Sequence, residues 1–174
     1  MTRRFNPQAL GLALVPVLAA ALIGSLFSYL GLDAYRALNQ PAFAPPEWVF
    51  PAAWSALYLL LIVSGYQVAA REDNPGLCSG AMFLFALQLF VNALWPMFFF
   101  ALGWRYMAFV WLLLLIALAA FMTLMFGRVR KSAAWLQLPY LAWLVFAAAL
   151  NLAVALLNRA NNFSFRAEHT PFVS

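Results

Sequence analysis

Three apolar stretches hold the side chains most able to do chemistry. In the first, Phe50, Trp54 and Tyr58 recur every fourth residue, so two rings and a phenol share one helical face. In the second, Gln88, Asn92, Trp95 and Phe99 fall at i, i+4, i+7 and i+11. In the third, Tyr140, Trp143, Ala147 and Asn151 form a similar stripe. Rings, phenols and carboxamides bind by stacking and by hydrogen bonds. Together they suit a flat, largely apolar ligand in a cavity between helices.

The same stretches exclude other chemistry. Ion and proton pumps generally need a carboxylate, histidine or lysine inside the membrane. Nucleophilic or metal catalysis needs a Ser–His, Cys–His or clustered-carboxylate set. The apolar stretches carry neither. The one cysteine, Cys78, forms no intrachain disulfide, and the one histidine, His169, sits in a polar tail as a solvated residue, so no metal site is expected. Plainer readings stand beside the ligand site. Phe50, Trp54 and Tyr58 equally fit an aromatic belt at a bilayer boundary. Asn92 beside Trp95 favours a pocket, whereas Asn151 favours a hydrogen bond between helices, at about 1 kcal/mol or less.

The elements that must position these stripes follow from composition. The 174 residues are 67% hydrophobic and 9% charged, against about a quarter charged in a soluble domain, so lipid must solvate much of the chain. Five apolar runs each approach or exceed the roughly 20 residues that cross a bilayer. They are residues 9–32, 48–70, 79–102, 106–126 and 133–157, and none contains Asp, Glu, Lys or Arg. Helices are the expected form, because each satisfies its own backbone groups. The fold class expected is an all-α integral membrane protein, a five-transmembrane-helix bundle over residues 1–158 with a polar tail over 159–174. Ala19-Ala20-Ala21 would allow a cleaved signal, but the apolar run continues well past it, which argues for a retained span. Ala20, Gly24 and Ser28 form a small-residue ridge, suited to a second copy of the chain or to packing within one copy.

The net charge is +5, with basic residues scattered between the runs, which fits membrane loops and gives no face for nucleic acid. Arg3, Arg4, Arg71, Arg128, Arg130 and Lys131 fall on the N-terminal side; Arg36, Arg105, Arg159 and Arg166 fall opposite. This bias sets the N-terminus on the cytoplasmic side. The stretch from Gln40 to Tyr58 organises the rest. Pro41, Pro45 and Pro46 force an extended or turning backbone, and the helix is expected to start near Glu47, at the positive end of its dipole. Pro51 is tolerable in a first turn. Pro139 is expected to bend the fifth span above its stripe.

These blocks resemble one family. Tyr35, Leu38 and Pro41, then Pro45-Pro46-x-Trp48-Val49-Phe50-Pro51-x-x-Trp54-x-x-Leu57-Tyr58, look like the signature of the TspO family, the tryptophan-rich sensory proteins of bacteria and the mitochondrial translocator protein or peripheral benzodiazepine receptor. Asn92-Ala93-Leu94-Trp95-Pro96-x-Phe98-Phe99 resembles its next block, and Pro139-Tyr140-Leu141-Ala142-Trp143, continuing to Leu150-Asn151, its last. The resemblance covers about residues 10 to 158.

The resemblance implies a five-helix bundle, often a homodimer, in a membrane that for this chain is expected to be a bacterial cell membrane. It implies that protoporphyrin IX-like porphyrins or similar hydrophobic small molecules are bound by Phe50, Trp54, Tyr58, Asn92, Trp95 and Trp143, with no cofactor required. It also implies a possible light-dependent porphyrin breakdown in which Trp54 and Trp143 would be the catalytic pair; a small-molecule transporter is a further alternative. The chain departs from the family pattern at Ala34, Gln40, Ala42 and Phe43, so its lid has fewer rings and no cation for a porphyrin carboxylate. The sterol pattern at the end of the fifth span fails as well, with Leu152 and Ala153 after Asn151.

Overall fold

The computed structural model describes residues 5–71 and 73–159. Arg3, Arg4, Glu72, Arg166 and His169 lie outside them, as does the tail from residue 160 onward. The described residues form helices α1 (Pro7–Leu30), α2 (Leu32–Arg36), α3 (Val49–Ala69), α4 (Pro75–Pro96), α5 (Arg105–Val129), α6 (Lys131–Trp135) and α7 (Leu138–Leu157). A π-helical turn, Met97–Ala101, continues α4. Five spans are long and apolar enough to cross a membrane: α1, α3, α4 with its π turn, α5, and α6 with α7. The fold is the five-helix membrane bundle that the apolar runs lead one to expect.

Packing explains why so apolar a chain folds into one bundle. On α1 the buried residues are Ala9, Ala13, Val17, Ala20 and Gly24, while Leu12, Leu18, Leu22 and Leu26 are exposed. Small residues face inward, where they let helices approach closely; large apolar residues face lipid. α1 lies against α3 and α4, α4 against α5, and α5 against α7. A Cβ on Gly24 would sit 3.6 Å from Pro96 Cγ, so the small-residue ridge serves contact within one chain at Ala20 and Gly24.

Helix ends follow local chemistry. Asn6 caps α1 by accepting from the Ala9 N–H at 3.1 Å, and Asn74 caps α4 from the Leu77 N–H at 3.1 Å. Each cap is followed by a proline, whose missing N–H costs nothing there. The cap at Asn74 starts the third span at Pro75, earlier than its apolar run.

Four expectations need correction. The first loop contains a helical turn, α2. α3 begins at Val49, two residues past Glu47, whose carboxylate pairs with Arg36. Pro139 does not bend a continuous helix; α6 ends at Trp135 and α7 restarts at Leu138, with Pro139 in its first turn, where the absent N–H goes unmissed. The third span is not regular throughout. Pro96 has no N–H to offer the Asn92 carbonyl, and beyond it the turn widens, Leu102 N–H reaching Met97 O at 2.9 Å, five residues back.

Candidate functional site

α1, α3, α4, the π turn and α7 enclose a cavity of about 530 Å³. Its wall includes every residue expected to contact a ligand: Phe50, Trp54, Tyr58, Asn92, Trp95 and Trp143. The helices bring the three stripes face to face. Trp54 and Trp143 meet edge to face with ring centres 6.4 Å apart and planes at 84°. Phe50 meets Trp143 at 6.2 Å, and Trp54 leans on Tyr58 at 5.4 Å. Across the cavity, Trp95 stacks on Phe99 at 5.2 Å.

A hydrogen-bonded line runs from the cavity into the core. Tyr58 Oη donates to Asn92 Oδ1 at 3.2 Å. Asn92 Nδ2 donates to Tyr140 Oη at 3.0 Å, and Tyr140 Oη donates to Gln88 Oε1 at 2.8 Å. Asn151 does two things. It ties helices together, accepting from Trp95 Nε1 at 3.2 Å and donating to the Arg105 carbonyl at 2.8 Å, and it also lines the cavity. Trp143 Nε1 is buried without a hydrogen-bond partner. A buried N–H left unmet costs about 1–3 kcal/mol.

The mouth is polar. Among the described lining residues Glu47 is the one carboxylate, and Arg36 holds it through Nε to Oε1 at 3.1 Å and Nη2 to Oε2 at 2.9 Å. The loop is also fastened at Asn39, whose N–H donates to Asn158 Oδ1 at 3.0 Å while Asn158 Nδ2 donates to Asn39 O at 3.0 Å. The proline-rich segment frames the rim rather than lining it. Only Glu47 and Trp48 of the loop reach the cavity, and Phe43 packs on Phe146 at 6.5 Å.

Hydrogen bonds from Arg36 hold the Glu47 carboxyl below its ordinary range. The Tyr35 phenol beside it is pushed up, first by burial and then by the Glu47 charge. A carboxyl depressed in the folded state stabilises at pH above its unfolded value and loses that contribution as pH falls through the lower folded value. Acid is therefore expected to release the loop from Arg36. Hydrogen exchange of residues 37–48 should rise as pH drops below the ordinary glutamate range, beyond the intrinsic change in exchange rate. In Glu47→Gln that transition should vanish; an identical acid transition in the variant would discard the ion pair as its cause.

Several lining residues were not singled out as ligand contacts. Ser28, part of the small-residue ridge, also lines the cavity, and its Oγ donates to Gly24 O at 2.8 Å. Ser25, Tyr35 and Leu150 line it without any stripe to announce them. Phe100 lines it beside Phe99, both on the π turn. Among the described residues, no three of His, Cys, Asp and Glu gather where they could hold a metal.

Comparison with known proteins gives the same architecture a lineage. A profile of the TspO/MBR family matches residues 12–157. The chain is 35% identical over 147 residues to Tryptophan-rich protein TspO of Archaeoglobus fulgidus, covering 84% of this chain and 94% of that one. It is 37% identical over 153 residues to the Translocator protein of Homo sapiens, covering 84% and 87%. With the Tryptophan-rich sensory protein of Cereibacter sphaeroides it shares 33% identity over 124 residues, 71% and 76% of the two chains.

Proposed function

The chain belongs to the TspO/MBR family of integral membrane proteins, and from that premise we propose that it binds a porphyrin, or a similar flat hydrophobic molecule, in the cavity between α1, α3, α4 and α7. It would act there as a sensor, regulator or carrier. One observation carries the reading: a ring-lined cavity of about 530 Å³ on which Phe50, Trp54, Tyr58, Asn92, Trp95 and Trp143 converge. Its volume falls within the roughly 300–1,000 Å³ of small-molecule sites. Aromatic walls supply stacking, and the Tyr58–Asn92 pair supplies orientation. The names of relatives, sensory protein and translocator protein, agree with this coarse assignment.

Tryptophan fluorescence tests it, because Trp54, Trp95 and Trp143 line the cavity. Protoporphyrin IX should quench the emission saturably. Asn92→Leu should weaken the apparent affinity roughly tenfold, through loss of about one oriented hydrogen bond. Trp143→Phe should weaken it too. Quenching indifferent to both changes would put the ligand elsewhere.

The edge-to-face contact of Trp54 and Trp143 favours a second reading, light-driven porphyrin oxidation with dioxygen as oxidant. Illuminating the same complexes separates the two. Bleaching that slows in Trp54→Phe and Trp143→Phe supports an enzyme, whereas equal bleaching leaves binding alone. The excess of basic residues on the N-terminal side supports a cytoplasmic N-terminus in a bacterial cell membrane, with the proline-rich loop outward. We further propose a homodimer, paired through lipid-facing residues rather than through Ala20 and Gly24, which are buried within one chain.

A further inference from the structure

At the end of the bundle away from the cavity, α5 turns into α6 through Arg128, Arg130 and Lys131. Arg128 and Lys131 are exposed. Among the described residues no carboxylate pairs with any of the three; the ion pairs there are Arg36 with Asp33 and Glu47, and Arg71 with Asp73. The sequence makes this more than a local accident, since no Asp or Glu occurs between Asp73 and Glu168. The other turn at this end, Arg71-Glu72-Asp73, carries its own acids and is not a cationic patch.

The cluster is also held in place. Arg130 Nε donates to Ser132 Oγ at 2.8 Å, and Ser132 Oγ donates to Gln67 Oε1 on α3 at 2.6 Å. A tethered guanidinium is preorganised to meet an oxyanion. Beside it, α6 ends in Trp135, which is 70% exposed, and Leu138 is exposed at the start of α7. Cations next to an outward indole, at the end of an apolar span, suit the headgroup layer of a bilayer: the charges meet phosphate and the ring lies at the boundary.

We propose that the α5–α6 corner is a seat for an anionic phospholipid, its phosphate among Arg128, Arg130 and Lys131 and its acyl region along Trp135 and Leu138. A zwitterionic lipid carries the same phosphate with a compensating cation and is held less well. The preference weakens as salt screens the exposed charges.

The test is thermal unfolding of the full chain in non-ionic detergent with phosphatidylglycerol, phosphatidylcholine or inorganic phosphate added at equal concentration. A ligand that binds only the folded state raises the melting temperature. Phosphatidylglycerol is expected to raise it and the other two to leave it nearly unchanged. In Arg128→Gln/Lys131→Gln the apparent affinity should fall by roughly fivefold per charge removed. Both side chains are exposed and the Arg130–Ser132–Gln67 tether remains, so the helical circular dichroism should be native. Arg159→Gln, at the opposite end, should keep the full lipid effect. Equal stabilisation by phosphatidylcholine, an undiminished effect in the double variant, or the same effect from inorganic phosphate would each overturn the proposal.

Discussion

Gly31→Ala is expected to destabilise the bundle more than any other single-methyl addition among its glycines. A Cβ at this position would lie 2.2 Å from the carbonyl oxygen of Phe100 and 2.4 Å from its carbonyl carbon. Both are backbone atoms of the π turn, so no side chain can swing aside. Relief requires the end of α1 to part from the widened turn. That separation also moves Ser28 and Tyr35 away from Phe99 and Phe100, which together line the cavity. Overpacking a fitted site costs about 1–3 kcal/mol, and a clash with backbone belongs at the top of that range. Gly80→Ala is the control, because nothing stands within 4 Å of its added Cβ. Thermal melts of the solubilised protein should show a clear loss for Gly31→Ala and none for Gly80→Ala. Equal melting of Gly31→Ala and the unaltered chain would mean that α1 and the π turn are not in this contact.

Asn92→Leu is the second large effect. The side chains are close in size, so little packing is lost. What is lost is the middle of the hydrogen-bonded line. Tyr140 Oη still reaches Gln88 Oε1, but Tyr58 Oη loses its acceptor in a largely apolar setting. Leaving one buried donor unmet costs about 1–3 kcal/mol. Removing the stranded hydroxyl should recover part of it. The double variant Tyr58→Phe/Asn92→Leu is therefore expected to be more stable than the two single losses would sum to. A double-mutant cycle measures this coupling. Strict additivity would mean that the two side chains do not depend on each other. Porphyrin quenching in the same variants links the network to the cavity.

Much of the architecture was legible because lipid demands long uncharged runs, and the chain supplies five. The convergence of Phe50, Trp54 and Tyr58 with Asn92, Trp95 and Trp143 was legible for a related reason. A regular helix fixes which residues share a face, and these six obey that rule. Where regularity fails, so does the reading. Pro96 breaks the ladder, and the following turn winds wider without any apolar pattern to announce it. α2 and the joint between α6 and α7 hid for a different reason. Each is a matter of one helical turn, and stability at that scale comes from tertiary contact rather than from local pattern. The joint is held by Gln137, whose Nε2 donates to Ser64 Oγ on α3. The two roles of small residues could not be separated either. Gly24 and Ser28 belong to one ridge and both open onto the cavity, Gly24 while also abutting Pro96.

The inward placement of Ala9, Ala13, Ala20 and Gly24, with leucines turned outward, inverts the usual map of mutational tolerance. In a soluble domain the bulky residues are the guarded ones. Where Leu12, Leu18, Leu22 and Leu26 meet lipid, they can be exchanged for side chains of like oiliness, because fluid lipid fits itself to whatever shape it meets. The humble alanines have no such latitude, since each faces another helix. Sequence drift along α1 should therefore accumulate among its outward hydrocarbon side chains and spare its buried small ones.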